Sequence, residues 1–391
     1  MTMKGRTAAE RLDALRGEAP RRSSNVRELA RFAANSTCNL ANVGFAARVD
    51  FDKLLRKTRF EAAFGQSPFA FRRGNRFEEM LRVDGHAPLL GLMGETLGYD
   101  VKGAKVANLR QGFPRNRAGF QARAEKTREL VGAIARDEKG APNLLDGAVL
   151  GRTIGGVEAH FEADAVAAHF GKPIHVGEIK SFPTVDGQAD ADKIGAAVAQ
   201  VSIYILLLRE LVERIGGNPE QVSSTALLIT AKNTGLQPTM HLKNVGREVD
   251  RAARILDQAP EIEEVAAAIA TKTPGFELVA SKQEAESARL DRLNEIADSV
   301  GVVYRPSCLS SCGLSRFCRE RAHESGDPAR VGGQLVRLLP GIGSIDRVTD
   351  LVSGKKPAAE EKAAAEQLQR AAALREQLAP TAPVGSRRRA R

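Results

Sequence analysis

Two changes of hydrophobic period between Asp146 and Thr230 restrict the fold of this chain more than anything else in its sequence. Segments 147–154, 157–168 and 174–181 alternate apolar with polar residues or are rich in β-branched ones, as strands do. Gly155-Gly156 and Gly171-Lys172-Pro173 separate them as turns. A helical pattern then covers 189–216 and stops at Gly216-Gly217-Asn218-Pro219, after which 226–230 reads as a short buried strand. Three strands, a helix and one more strand predict an α/β core with a mixed central sheet. Helical patterns flank it: the charged segment 1–60, then 76–99 with Phe77, Met80 and Leu81 at helical spacing, 121–137, and 246–299 with a break at Pro274-Gly275.

The strands carry acids in a regular order. Alternation puts Glu162 and Asp164 on one face of their strand, and Glu178 and Lys180 on one face of the next. If the two strands are neighbours, Asp164, Glu178 and Lys180 converge. Adjacent carboxylates repel, and a divalent cation with a taste for hard oxygen ligands, Mg²⁺ or Mn²⁺, relieves that repulsion. Such an ion polarises a phosphoryl oxygen and generates a nucleophile from water near neutral pH. A lysine two residues from a ligand steadies the charge that develops on phosphate. Solvent-facing charges on a half-exposed sheet are the plainer alternative. Glu158 and Glu162 read as supporting or surface groups rather than ligands.

Two further motifs bracket these acids. Upstream lies Gly74-Asn75-Arg76-Phe77-Glu78, and downstream, on the long helix, Gln200-Val201-Ser202-Ile203-Tyr204. In this order the residues resemble the RecB branch of the PD-(D/E)XK nuclease superfamily, which shows G-x-x-φ-(H/E), a strand Asp, (D/E)-x-K and Q-x-x-x-Y. The resemblance covers about 70–235. It implies a restriction-endonuclease-like core in which Asp164 and Glu178 ligate the metal and Lys180 is the catalytic lysine. Glu78 takes the third ligand position, where relatives often carry His; Glu79 is the neighbouring alternative. Gln200 and Tyr204, four apart on one helical face, would contact the DNA strand and the active site.

Four cysteines occur, Cys38 in a turn-like patch (Asn35 to Asn39) and Cys308, Cys312 and Cys318 in a compact cluster. In a reducing compartment metal binding is favoured over disulfides. A zinc site and free thiols are the alternatives, although no paired C-x₂-C knuckle is present. One cysteine before the core and three after it is similar to the iron–sulfur RecB-family nucleases, among them the CRISPR-associated RecB-like exonucleases and AddB-type helicase–nuclease subunits. That resemblance implies a [4Fe–4S] cluster acting as a structural staple across the core. Arg305, Arg316, Arg319 and Arg321 lie near these cysteines as a DNA-facing patch or a solvated surface.

Charge fits a polyanionic partner without proving one. The net charge is +10, and removing the four arginines of the last five residues leaves +6. No apolar run of 18 residues and no apolar leader occur, so a cytoplasmic protein without a membrane partner is expected. No G-x-x-x-x-G-K-[ST] is present, which excludes a P-loop motor; any helicase or defence-system subunit would be a separate chain. None of the six histidines is spaced as a metal ligand, and each reads as structural. Leu338-Leu339-Pro340-Gly341-Ile342-Gly343 is similar to a helix-hairpin-helix turn, and a plain turn between helices explains it as well. The expected organisation is an N-terminal helical region (1–69), the nuclease core (70–235), a helical region (236–300), the cysteine region with further helices (301–354) and a low-complexity basic tail (355–391). The expected function is a Mg²⁺- or Mn²⁺-dependent deoxyribonuclease acting on single strands or ends in repair, recombination or phage defence. The competing readings are a non-catalytic DNA-binding or assembly subunit with the same fold, and a zinc-stapled interaction protein.

Overall fold

The structure is a computed structural model. It describes residues 7–22, 35, 37–61, 68–114, 116–154, 157–169, 171–185, 189–233, 235–305, 308, 312–326, 339 and 341–378. Gly155-Gly156, Leu338, Pro340, the first and last residues of the chain and the terminal arginine cluster lie outside them. Two compact units result, Met1–Gly301 with Ser307–Leu314, and Val302–Pro306 with Ser315–Arg391.

The first unit is mixed α/β. Its sheet has six strands in chain order: β1 (Val106–Asn108), β2 (Leu144–Ile154), β3 (Val157–Ala167), β4 (His175–Thr184), β5 (Thr225–Lys232) and β6 (Pro238–Asn244). The pairs β1–β2 and β4–β5 are parallel and the other three antiparallel, so the sheet is mixed. Two of these strands are additions to the sequence reading. β1 is too short to show alternation, and β6 buries only Met240. β6 also carries the sheet beyond residue 235, where the sequence reading ended the core.

Side-chain alternation along the strands sorts the core into two layers. On β5, Ala226 and Leu228 join one cluster, while Leu227 and Ile229 join the other. Of the helices α1 (Ala8–Arg16), α2 (Asn39–Ala46), α3 (Phe51–Leu54), α4 (Pro68–Leu97), α5 (Arg117–Ala135), α6 (Ala191–Arg214) and α7 (Gly246–Asp257), three form the first layer. These are α5, α6 and α7; α6 contacts β2, β3, β4 and β5. On the other layer α4 supplies Phe77, Leu81, Leu89 and Met93. Further helices follow: α8 (Ala259–Ala270), α9 (Glu277–Ala280) and α10 (Glu286–Val300); α1 and α2 pack on α8.

Two helices depart from expectation. α6 is long and apolar enough to cross a membrane by length and composition, although no unbroken apolar run marks it in the sequence. Here it is the core helix, and its interior Ser202 is satisfied by donating to the Val198 carbonyl at 2.7 Å. α4 is not continuous. Val83 is extended, and Asp84, Gly85 and His86 have φ of 49°, 67° and 71°, so the helix stops and restarts within the predicted 76–99. Pro88 near the restart needs no helical N–H partner.

In the second unit, α11 (Ser315–Glu324) carries Cys318. α12 (Ile345–Val352) and α13 (Lys362–Leu378) pack through Leu351, Ala364, Ala365 and Ile342. Ser344 caps α12 by accepting from the Arg347 N–H at 3.1 Å. α13 occupies much of the segment 355–391 that the sequence reading gave as a low-complexity basic tail, and the chain beyond Leu378 is outside the described residues.

Candidate active site

The site begins where two strands part. The β3–β4 ladder runs from Ala167↔His175 to Ala165↔Gly177, and Asp164 and Glu178 are the next residues on each strand. From Gly177 onward β4 pairs in parallel with β5, and its register shifts between Lys180 and Pro183. A proline fits a strand whose ladder is interrupted, because it has no N–H to offer. Asp164 Oδ2 accepts from the Ile179 N–H at 3.0 Å, so a side chain satisfies a donor beyond the end of the ladder.

Alternation sets the side. On β4, Val176 points toward α6 and Glu178 follows it at an interval of two; on β3 the alternation breaks at Asp164, with Ala163 in the α6 layer and Ala165 in the other. Glu178 is fully buried, and Lys180 pairs with its carboxylate while remaining partly exposed. Tyr204, on α6, is buried, and Gln200 Nε2 lies 3.2 Å from its hydroxyl. Burial first, and then the negative charge of Glu178, Asp164 and Glu162, raises the Tyr204 pKa beyond its ordinary value; the Gln200 contact only partly offsets this. The phenol therefore keeps its proton and remains a donor.

Arginines bind the carboxylates together, and the sequence reading missed them. Arg110 Nε lies 2.8 Å from Asp146 Oδ1, its Nη2 lies 3.1 Å from Asp164 Oδ1, and its Nη1 pairs with Glu162. Arg123 Nη2 holds the other Glu162 oxygen at 2.7 Å and donates to the Gly147 carbonyl at 2.8 Å. Asp146 is buried and also meets Arg82 Nε at 2.9 Å and His86 Nε2 at 2.9 Å. Burial alone would raise the Asp146 pKa; the charge of Arg110, the His86 and Arg110 hydrogen bonds and the charge of Arg82 outweigh it and lower it. Arg110 shows the converse. Burial pulls its pKa down, but Glu162, Asp146 and Asp164 raise it on balance.

Glu78 enters through an intermediary. It pairs with Arg82 at 3.0 Å, one helical turn away, and Arg82 reaches Asp146. Glu79 is exposed. Glu162, read as a supporting or surface acid, is held by two arginines; nothing is described of the Glu158 side chain. His86 is turned inward by the break in α4. Non-glycine residues with positive φ are strained by the order of 1 kcal/mol each, and such strain collects at functional sites. Gly147, with φ of +75°, makes room for the arginines: a Cβ there would lie 2.5 Å from Arg110 Cγ and 2.9 Å from Arg123 Nη2.

Cys38, Cys308 and Cys312 belong to the first unit and are buried. Cys38 begins α2, the Cys312 N–H donates to the Cys308 carbonyl at 2.8 Å, and Asn35 Nδ2 donates to Cys308 Sγ at 3.2 Å. Cys318 is buried in the second unit, and none of the four is in a disulfide. Among the described residues, no three His, Cys, Asp or Glu side chains are gathered as a metal-ligand group. Asp164 and Glu178 are each met by a cationic side chain, Arg110 and Lys180, and a divalent ion would have to share or take that place.

Comparison with known proteins adds little. No family model matches the chain, and no curated protein does. The solved structures that match include a crystal structure of a "Putative exonuclease" from Eubacterium rectale, with a TM-score of 0.30 and 14% identity, covering 68% of this chain and 87% of the other. A likeness that distant carries no argument about function.

Proposed function

We propose that this chain is a metal-dependent nuclease that hydrolyses phosphodiester bonds in DNA, on single strands or ends, in repair, recombination or phage defence. The reading rests on one observation above the rest: Asp164 and Glu178 are the first residues beyond the opened β3–β4 ladder, and Lys180 lies against the buried Glu178 carboxylate. The donor set suits Mg²⁺ or Mn²⁺. It is all carboxylate oxygen, and Asp164 and Glu178 each already face a positive charge, Arg110 and Lys180. Asp164 and Glu178 would hold the ion, and Glu78 could join them only by leaving Arg82. When bound, it supplies Lewis acidity toward a phosphoryl oxygen and toward water.

The chain's own groups have separable tasks. Glu178 orients the Lys180 ammonium, which steadies negative charge developing on the phosphate. Asp164 is fixed by the Ile179 N–H, so it is held in place before substrate arrives. Tyr204, protonated and steadied by Gln200, offers a hydroxyl toward the same space. The net charge of +10 favours a polyanion. Any helicase would be a separate partner. The proposal includes a [4Fe–4S] cluster on the cysteines. Three of them are buried in one unit, and the Asn35 amide donates to the Cys308 sulfur. Zinc is the alternative occupant.

The test is cleavage of labelled single- and double-stranded DNA by anaerobically purified protein with Mg²⁺ or Mn²⁺, beside Lys180→Ala. Loss of about 100-fold or more in the variant is expected, the scale of a single lost electrostatic donor. Equal cleavage by both proteins would count against the site. A second reading, a DNA-binding or assembly subunit that does not cut, draws on Arg110, which already neutralises these carboxylates. Tight DNA binding with no cleavage under either metal would favour it.

A further inference from the structure

One guanidinium serves three carboxylates in this site, and its three nitrogens are not equally anchored. Arg110 Nε faces Asp146, which is buried and is also held by Arg82 and His86. Its Nη groups face Glu162 and Asp164, whose side chains are 25% and 20% exposed. Both keep a partner if Arg110 leaves: Glu162 has Arg123, and Asp164 has the Ile179 N–H. The stem is unobstructed on one side, because residue 147 has no Cβ.

We propose that Arg110 is a competing cation built into the nuclease centre. Its Nη2 lies on the Asp164 carboxylate, which a divalent ion held by Asp164 and Glu178 would claim. With that ion bound, Nη2 would leave Asp164, the rigid guanidinium would carry Nη1 off Glu162, which keeps Arg123, and the freed edge would face the phosphodiester while Nε stays on Asp146. This rests on the nuclease reading above and assigns that site a second phosphate-binding residue besides Lys180. An arginine cannot make way by losing a proton, so it must move. Its planar edge, once free, matches two phosphate oxygens, which a lysine at the same place would not. The move costs two part-buried ion pairs, each of modest strength, which a doubly charged ion at Asp164 and Glu178 would outweigh.

The experiment is calorimetric titration of the full chain with Mn²⁺ alone, for wild type, Arg110→Ala and Arg110→Gln. The glutamine variant keeps a donor for Asp146 and guards against a folding failure of the alanine. Both variants are expected to bind Mn²⁺ about tenfold more tightly, since no ion pair has to be broken first. Their DNA turnover at saturating Mn²⁺ is expected to fall. Affinity rising while turnover falls separates this role from a structural one, which would lower both. Unchanged or weaker Mn²⁺ binding in both variants, with wild type binding normally, would overturn the role of Arg110 alone. Absence of Mn²⁺ binding in all three proteins would overturn the nuclease reading with it.

Discussion

Replacing Gly147 by alanine tests whether the arginines hold the carboxylate centre in the way described. The residue has φ of +75°, and a side chain in that region costs about 1 kcal/mol relative to glycine. The new Cβ would also lie 2.5 Å from Arg110 Cγ and 3.1 Å from Arg110 Nε. Cγ is near the root of the side chain and cannot yield without carrying the guanidinium off Asp146, at about 2 kcal/mol for a charge-assisted hydrogen bond. Arg123 Nη2, 2.9 Å away, is the end of a flexible chain and gives way at little cost. The expected loss is therefore about 3 kcal/mol. Urea unfolding followed by far-ultraviolet circular dichroism reads it, since the chain has no tryptophan. Gly85→Ala is the control: its φ is +67° and nothing lies within 4 Å of the added carbon, so only the backbone part, about 1 kcal/mol, should be lost. In an Arg110→Ala background the cost of Gly147→Ala should likewise fall to about 1 kcal/mol. An equal cost in both backgrounds, or a cost no greater than that of Gly85→Ala, would refute the steric argument.

Three more outcomes are expected. Asp146→Asn removes the shared partner of Arg82, His86 and Arg110 and should cost about 3 kcal/mol or more in the same unfolding assay. Because the folded pKa of Asp146 is lowered, its stabilising effect is complete above the ordinary value of 3.8 and fades as pH falls below it, so the loss caused by the substitution should shrink in acid. In the second unit, the Arg347 hydrogen bond and then the Ala358 N–H bring the Glu361 carboxyl down to about 2. Its stabilising effect is present above 4.5 and is lost as pH falls toward about 2; carbon NMR should show it titrating there, and Arg347→Gln should return it toward 4.5. Protein purified without oxygen should contain iron and absorb visible light, and Cys308→Ser should lose both; zinc in place of iron would replace the cluster reading.

The legible parts of this fold are those that repeat. Strands β2 to β4 and the helix α6 impose a period on many consecutive residues, and Asp164, Glu178 and Lys180 can be placed on them from spacing alone. β1 has three residues, and β6, with Pro238, His241 and Lys243, buries a single side chain, so neither writes a pattern. Arg110 and Asp146 are far apart in the chain and meet because Asn108 pairs with Asp146 across that short strand. No local signal announces such a meeting. The break in α4 did leave a local signal, Gly85 and Pro88, which the reading of 76–99 as one helix passed over. What the sequence could not show is the contact that rewards the strained backbone, His86 with Asp146, because it is made with a distant strand. Cation-rich segments are common on surfaces, so Arg82, Arg110 and Arg123 attract no attention until the acids they face are known.

The two borders of the sheet also govern how this protein can associate. One offers a newcomer only three residues of backbone. The other opens on an imino acid without a hydrogen to donate, and places the ammonium of Lys243 in solvent near its far end. Neither is a good template for an added strand, whether from a second copy or from a misfolded neighbour. Stable assemblies should therefore be built from side chains on helices and loops, and crowded or partly unfolded preparations should resist growth into cross-strand aggregates from these two edges.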